Sequence, residues 1–381
     1  MTGLSRQVRE DTAVRAPWPD DLRLDELALR SRRLVIERLN EAALWPRRAR
    51  AQLLSGDQRA RGEHFLERDA RGFLGHEDYA RLGSEGIFGL RNARLRNRLP
   101  VVAGFGHELG NGLHGWLRCP FGTRALAAEL CATFNLGVVL FDRICDTLPG
   151  GAARLERLFD ATTLEHLFAD PAHAAGRFAL DAARERPEFG ILAKTVLRFF
   201  QLLRAHAQGP AQRELASALS RAYRAELDTV KPHATLEPSS VLKAVEQKSS
   251  LPFAIAFYAV QSCCAPASAG DAQEQAALLD GLGRVFSLVD DAADLCVDLR
   301  RGDPNGIVLR AADAAAGRPT ELAVLLDTAL LVHVASELSA ALQAVYALLA
   351  AHEVRMDGGW RFEEWLLVTI RGWLDPTRRL L

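Results

Sequence analysis

The stretch "SLVDDAADLCVDLRRGDPN", Ser287–Asn305, places Asp290, Asp291, Asp294 and Asp298 within nine residues. Steps of four put Asp290, Asp294 and Asp298 on one side of a helix, each about 6 Å further along its axis. Like charges at that spacing repel and destabilise the helix, so solvent or a bound cation must offset them. A second pair, Asp142 and Asp146 in "LFDRICDTL", has the same spacing. Either motif alone also suits a solvated helix face. The neighbours argue otherwise. Gly137, Val138, Val139, Leu140 and Ile144 flank one motif, and Val285, Phe286, Leu288 and Val289 flank the other, where a solvated face would carry Lys, Gln and Ser. Each motif runs into a glycine- or proline-bearing loop, "LPGG" or "GDPNG", so the two acidic ends can meet at one mouth of a bundle.

Carboxylates are hard ligands that suit Mg²⁺, which takes one or two of them together with phosphate oxygens of a substrate. Two such clusters facing each other across an apolar pocket would hold Mg²⁺ around a diphosphate and neutralise the charge growing on that leaving group. Loss of diphosphate from an allylic carbon leaves a carbocation, which survives only in a dry pocket with aromatic walls. Phe134, Phe141, Phe253, Phe257, Tyr258 and Phe286 are candidates for that lining, although each also suits plain core.

The elements that must position these groups read as helices. Apolar residues recur at three and four in "ELALRSRRLVIERL", "TRALAAELCATFNLGVVLFDRICDTL", "ILAKTVLRFFQLLRAHA", "SVLKAVEQKSSLPFAIAFYAVQSC", "AALLDGLGRVFSLVDDAADLCVDL" and "ELAVLLDTALLVHVASELSAALQAVYALLA". Glycine and proline punctuate between them, and no strand alternation persists. The expected fold is all-α: one large helical bundle over 96–381, preceded by charged, arginine-rich peripheral helices over 20–95 and a disordered N-terminus over 1–19. Hydrophobic residues make up 49% of the 381, enough for a sizeable core. The formal charge of −1 offers no field that would recruit nucleic acid or an anionic membrane. The six cysteines form no CxxC pair and no zinc spacing; four of them sit in apolar, helix-like runs, which reads as free buried thiols in a reducing cytoplasm. No signal core stands at the N-terminus, and no uncharged apolar run of about 18 residues suggests a transmembrane segment.

In these motifs the chain resembles the class I isoprenoid synthases, particularly their trans-prenyl diphosphate synthase branch, over about residues 110–310. That family carries two aspartate-rich DDxxD motifs on facing helices of an all-α bundle. "VFSLVDDAAD" matches the second with Asp290, Asp291 and Asp294 in register. Asp290, Asp294 and Asp298 also fall at the spacing of the metal-binding triad of terpene cyclases. "DRICD" matches the first motif imperfectly, with Arg143 where a second aspartate is usual. Lys248-Ser249 in "AVEQKSSLPFAIAF" stands where the family places a diphosphate-gripping lysine, and the chain has only four lysines, Lys194, Lys231, Lys243 and Lys248. A surface lysine is the plainer alternative. "RAELDTVK" resembles a further family helix, with Asp228 retained.

The resemblance implies that Asp142, Asp146, Asp290, Asp291, Asp294 and Asp298 hold three Mg²⁺ ions with substrate. It implies that Lys248, Arg300, Arg301 and Arg143 clamp the diphosphate, and that the loop "RRGDPNG" closes over it. Arg300 and Arg301 equally suit a solvated loop. A homodimer is also implied. In that family bulky residues just before the first motif shorten the pocket, so the small Gly137 and Val138 before Asp142 imply room for a C15–C20 chain or longer. The basic site that elongating enzymes use for a second diphosphate is eroded, with only Arg118 in "LHGWLRCP" and no Arg-Arg pair after Asp146. This favours a terpene synthase acting on one prenyl diphosphate. The alternatives are a prenyltransferase or polyprenyl diphosphate synthase, joining an allylic diphosphate to isopentenyl diphosphate or another acceptor, and an inactive regulatory subunit of a prenyl synthase.

Overall fold

The computed structural model describes residues 29–30, 32–37, 40, 48–82, 84, 87, 94–158, 163, 166–167, 186–206, 211–230, 238–264, 271–301, 303–314 and 328–374. The expected disordered segment 1–19 lies outside the described residues, as does part of 20–95. Every regular element among the described residues is helical, and Arg355 and Arg361 form an isolated β-bridge. The chain is all-α.

In order, α1 spans Arg48–Phe65 and continues through a π-helical turn, Leu66–Ala70, into α2, Arg71–Leu74. Then come α3 His76–Leu82, α4 Arg94–Trp116, α5 Arg124–Thr147, α6 Gly151–Leu158, α7 Pro187–His206 and α8 Ala211–Val230. The rest are α9 Pro238–Gln261, α10 Asp271–Arg301, α11 Gly306–Ala314, α12 Thr328–Ala351 and α13 Phe362–Leu374. Helices α1, α4, α5 and α9 each contribute to both hydrophobic cores. Leu130, Leu136, Leu140 and Ile144 of α5 join α7 residues such as Phe189 and Leu192 in one core. Ala127 and Cys131 of α5 join Phe253 and Phe257 of α9, Phe286 of α10 and Trp365 of α13 in the other.

Helix α4 reaches α5 unusually closely. A Cβ on Gly106 or Gly110 would lie 2.4 Å from the Cys131 or Ala127 carbonyl oxygen, respectively. Glycine inside a helix costs about 1 kcal/mol relative to alanine; here it permits backbone contact that no larger residue would allow, and so seats α5 between its neighbours.

One sequence expectation needs correction and a second is not confirmed. Cys119 and Cys264 are paired in a disulfide, with Cα atoms 5.0 Å apart, while Cys131, Cys145 and Cys263 are free. The pair ties the loop before α5 to the end of α9 across 145 positions, a proximity that local spacing does not reveal. Cysteine usage therefore no longer argues for a reducing compartment. Second, Phe121–Thr147 and Leu331–Ala351 are long and apolar enough to cross a membrane by length and composition. The expectation of no such run demanded wholly uncharged stretches, whereas Phe121–Thr147 reaches that hydropathy despite Glu129 and Asp142. Core helices pass the same test, and Leu130, Leu136, Leu140 and Ile144 are wholly buried within the bundle.

Candidate active site

Helix α9 organises the site, because it packs against α5, α8 and α10 at once. Its Lys248 projects an ammonium group to both sides. Nζ lies 3.2 Å from Asp142 Oδ1 on α5 and 3.0 Å from Glu226 Oε1 on α8. Burial alone would lower the Lys248 pKa, but the Glu226, Asp142 and Asp146 carboxylates overcome it and hold the group well above its ordinary range. Glu226 shows the opposite balance. Its burial outweighs the lysine and pushes its pKa up to about 7. The next residue, Ser249, donates its hydroxyl to Asp290 Oδ2 at 3.4 Å on α10. Lys248-Ser249 thus stands between the two aspartate motifs, touching Asp142 with one side chain and Asp290 with the other.

Asp290 is held well above the carboxylate range, first by burial and then by repulsion from Asp294 and Asp291. Asp298 is pushed up to about 7 by burial, against the hydrogen bond from Asn305 and with help from Asp294. This is the mutual repulsion anticipated from the spacing, now placed in a poorly hydrated setting where it is stronger. Asp142 is half-exposed and Asp146 exposed at the far end of α5. Among the described residues, no three His, Cys, Asp or Glu side chains converge as a ready-made metal cage.

Asp291 is placed differently from its motif partners. One step along a helix turns a side chain by about 100°, and its carboxylate meets α11 instead. Oδ1 accepts from the Gly306 N–H at 2.8 Å, and Oδ2 lies 3.6 Å from Arg310. Asn305 caps α11 by accepting from the Ile307 N–H at 3.1 Å. Its amide also donates to the Asp291 carbonyl and to Asp298 Oδ2, both at 2.9 Å. Residues 303–306 are therefore bound back along α10 by its own aspartates. The anticipated closing loop includes Gly302, which lies outside the described residues. Arg300 and Arg301 belong to the last turn of α10 rather than to a loop, and their side chains are not described. Arg143 is half-buried beside Asp142.

A cavity of about 130 Å³ opens between α5, α7, α8 and α9, smaller than the roughly 300–1,000 Å³ of pockets that enclose a whole small molecule. Four expected residues line it: Phe134, Gly137, Val138 and Phe141. Glu226 and Lys248 line it too, so its one ion pair sits in otherwise mainly apolar and aromatic walls. From Phe134 to Asp142 the wall of α5 rises about 12 Å. Phe253, Phe257 and Phe286 are not part of this lining. Phe253 stacks on Phe286 with ring centroids 4.3 Å apart, and Phe257 packs 6.2 Å from Trp116, all in the other core. The face of α9 that meets the cavity carries Lys248, Pro252 and Ile255 instead.

Glu226, Asn305 and Arg310 were not anticipated. Glu226 lies in the noted "RAELDTVK" segment, two residues before Asp228, but nothing local distinguishes it from a solvated helical acid. Arg310 pairs with Glu246 at 2.8 Å as well as approaching Asp291, a link across helices that spacing does not encode. Comparison with models of protein families, with curated proteins and with solved structures found no match.

Proposed function

We propose that this chain is a Mg²⁺-dependent class I terpene synthase that ionises an allylic prenyl diphosphate and releases diphosphate. The observation that carries the proposal is Lys248-Ser249, which links Asp142 to Asp290 and whose lysine lines an apolar cavity. Repelling carboxylates suit a divalent ion that completes its shell with phosphate oxygens and water. Asp142 and Asp146 would hold it on one side, and Asp290, Asp294 and Asp298 on the other. Bound Mg²⁺ would supply Lewis-acid neutralisation of the leaving diphosphate. Asp291 is assigned a positioning role, orienting α10 through Gly306.

Lys248 exchanges its carboxylate partners for diphosphate oxygens as substrate enters. Phe134, Phe141 and Val138 enclose the hydrocarbon chain and exclude water from the cation. Binding energy gained on the diphosphate then assists C–O cleavage at the other end of the same molecule.

The test is incubation with Mg²⁺ and geranyl, farnesyl, geranylgeranyl or geranylfarnesyl diphosphate singly, then each with isopentenyl diphosphate, reading diphosphate release and organic products by mass spectrometry. A hydrocarbon or alcohol from one substrate alone is expected. A longer diphosphate made only with the partner replaces this reading by the prenyltransferase. Silence throughout replaces it by the regulatory subunit.

A further inference from the structure

We propose that Glu226 is the base that ends the reaction by taking a proton from the carbocation, so that the product is an olefin. This rests on the terpene synthase reading above. Glu226 is the only carboxylate among the described residues lining the cavity, and it is buried, with 8% of its surface exposed. The aspartates of both motifs do not line that cavity. Its remaining walls offer aliphatic and aromatic carbon, the hydroxyls of Thr133, Thr195 and Tyr223, and Lys248. Neutral hydroxyls are far weaker bases than a carboxylate.

The ion pair supplies the timing. Before substrate binds, Lys248 neutralises Glu226 at 3.0 Å. When Lys248 turns to the diphosphate, Glu226 still faces the space where positive charge develops, and the cation takes the place of the ammonium as the charge that keeps the carboxylate ionised. The allylic C–O bond breaks, and diphosphate leaves with its electron pair. Glu226 takes a proton from a carbon adjacent to the cationic centre, and the C–H electron pair becomes the new double bond. Glu226, now neutral, returns its proton to diphosphate or water. No oxidant or reductant is involved.

The test compares wild type, Glu226→Gln and Glu226→Asp with Mg²⁺ and whichever of the four prenyl diphosphates the wild type ionises. It measures olefin formed per diphosphate released. General-base catalysis is worth roughly 10²–10⁴-fold, so Glu226→Gln should lower that ratio by at least about 10²-fold, with captured water giving alcohol instead. Glu226→Asp, which keeps the carboxylate, should restore much of the ratio. An unchanged ratio in Glu226→Gln overturns the proposal and leaves the departing diphosphate as the base, while the synthase reading stands. A ratio lowered equally in both variants also overturns it, since Glu226 would then act through Lys248 alone. A wild type that releases no diphosphate from any substrate removes the reading and this proposal together.

Discussion

Gly306→Ala is the substitution with the most specific structural consequence. A Cβ at that position would lie 2.3 Å from Asp291 Oδ2 and 3.1 Å from its Cγ, so the buried carboxylate must move. Moving it breaks the 2.8 Å bond from the Gly306 N–H. A hydrogen bond to a charged group contributes about 1.5–3 kcal/mol, and forcing extra volume into a packed site costs about 1–3 kcal/mol. The two overlap, so a net loss of about 3 kcal/mol is expected, a fall of about 4 °C in Tm. Thermal unfolding followed by circular dichroism reads it directly. Gly56→Ala is the control, because that exposed helical glycine has nothing within 4 Å of a built Cβ; it should stabilise by about 0.5–1 kcal/mol. A Gly306→Ala protein that melts with the wild type would refute the argument that Asp291 anchors α11.

Other substitutions separate stability from activity. Asp290→Asn removes one of several repelling buried carboxylates, so the metal-free protein should gain about 0.5–2 kcal/mol while Mg²⁺-dependent diphosphate release falls; destabilisation in a melting experiment would count against the repulsion. Gly137→Ala should be tolerated, since its Cβ would meet only Thr195 Cγ2, at 3.7 Å. Gly137→Leu should fill the cavity and shift substrate preference toward shorter prenyl diphosphates, as read by product formation from each in mass spectrometry. Cys119→Ser opens a cross-link spanning 145 positions, and loop entropy on that scale is worth up to about 5 kcal/mol; an unchanged denaturation midpoint under non-reducing conditions would show that the cross-link contributes nothing.

Helical content was legible in the sequence because period-3.6 burial is a local signal. Leu136, Leu140 and Ile144 of α5 repeat at four and are all wholly buried. The lining residues of the same helix, Phe134, Gly137, Val138 and Phe141, share one face of it, but Gly137 and Val138 were expected there from the resemblance and the phenylalanines from their aromatic type. Helix α9 was harder. Phe253 and Phe257 look as suitable for a cation pocket as Phe141 does, yet they face α10 and Trp116. Periodicity defines which residues share a face, not which neighbour that face meets. The disulfide and the Arg310–Glu246 pair are long-range facts of the same kind. The glycines of α4 gave a signal that was overlooked, since a helix that spends Gly106 and Gly110 on close approach declares an unusually intimate neighbour.

The adjacent aspartates Asp290 and Asp291 carry the point furthest. Read as a string, they are two equivalent members of one motif. The helix separates them by about 100°, and that rotation divides their work. Asp290 stays with Ser249 and the repelling aspartates on the face toward α9. Asp291 gives its carboxylate to the first turn of α11 and to Arg310. Arg310 in turn pairs with Glu246, two residues before Lys248 on α9. A chain of contacts therefore runs from Asp291 through Arg310 back to the helix that carries the lysine. Anchoring by Asp291 holds α9 and α10 in mutual register, and that register lets Lys248 and Ser249 reach both acidic motifs. The repulsion between these neighbouring carboxylates is eased because Asp291 is committed to a backbone N–H and a guanidinium.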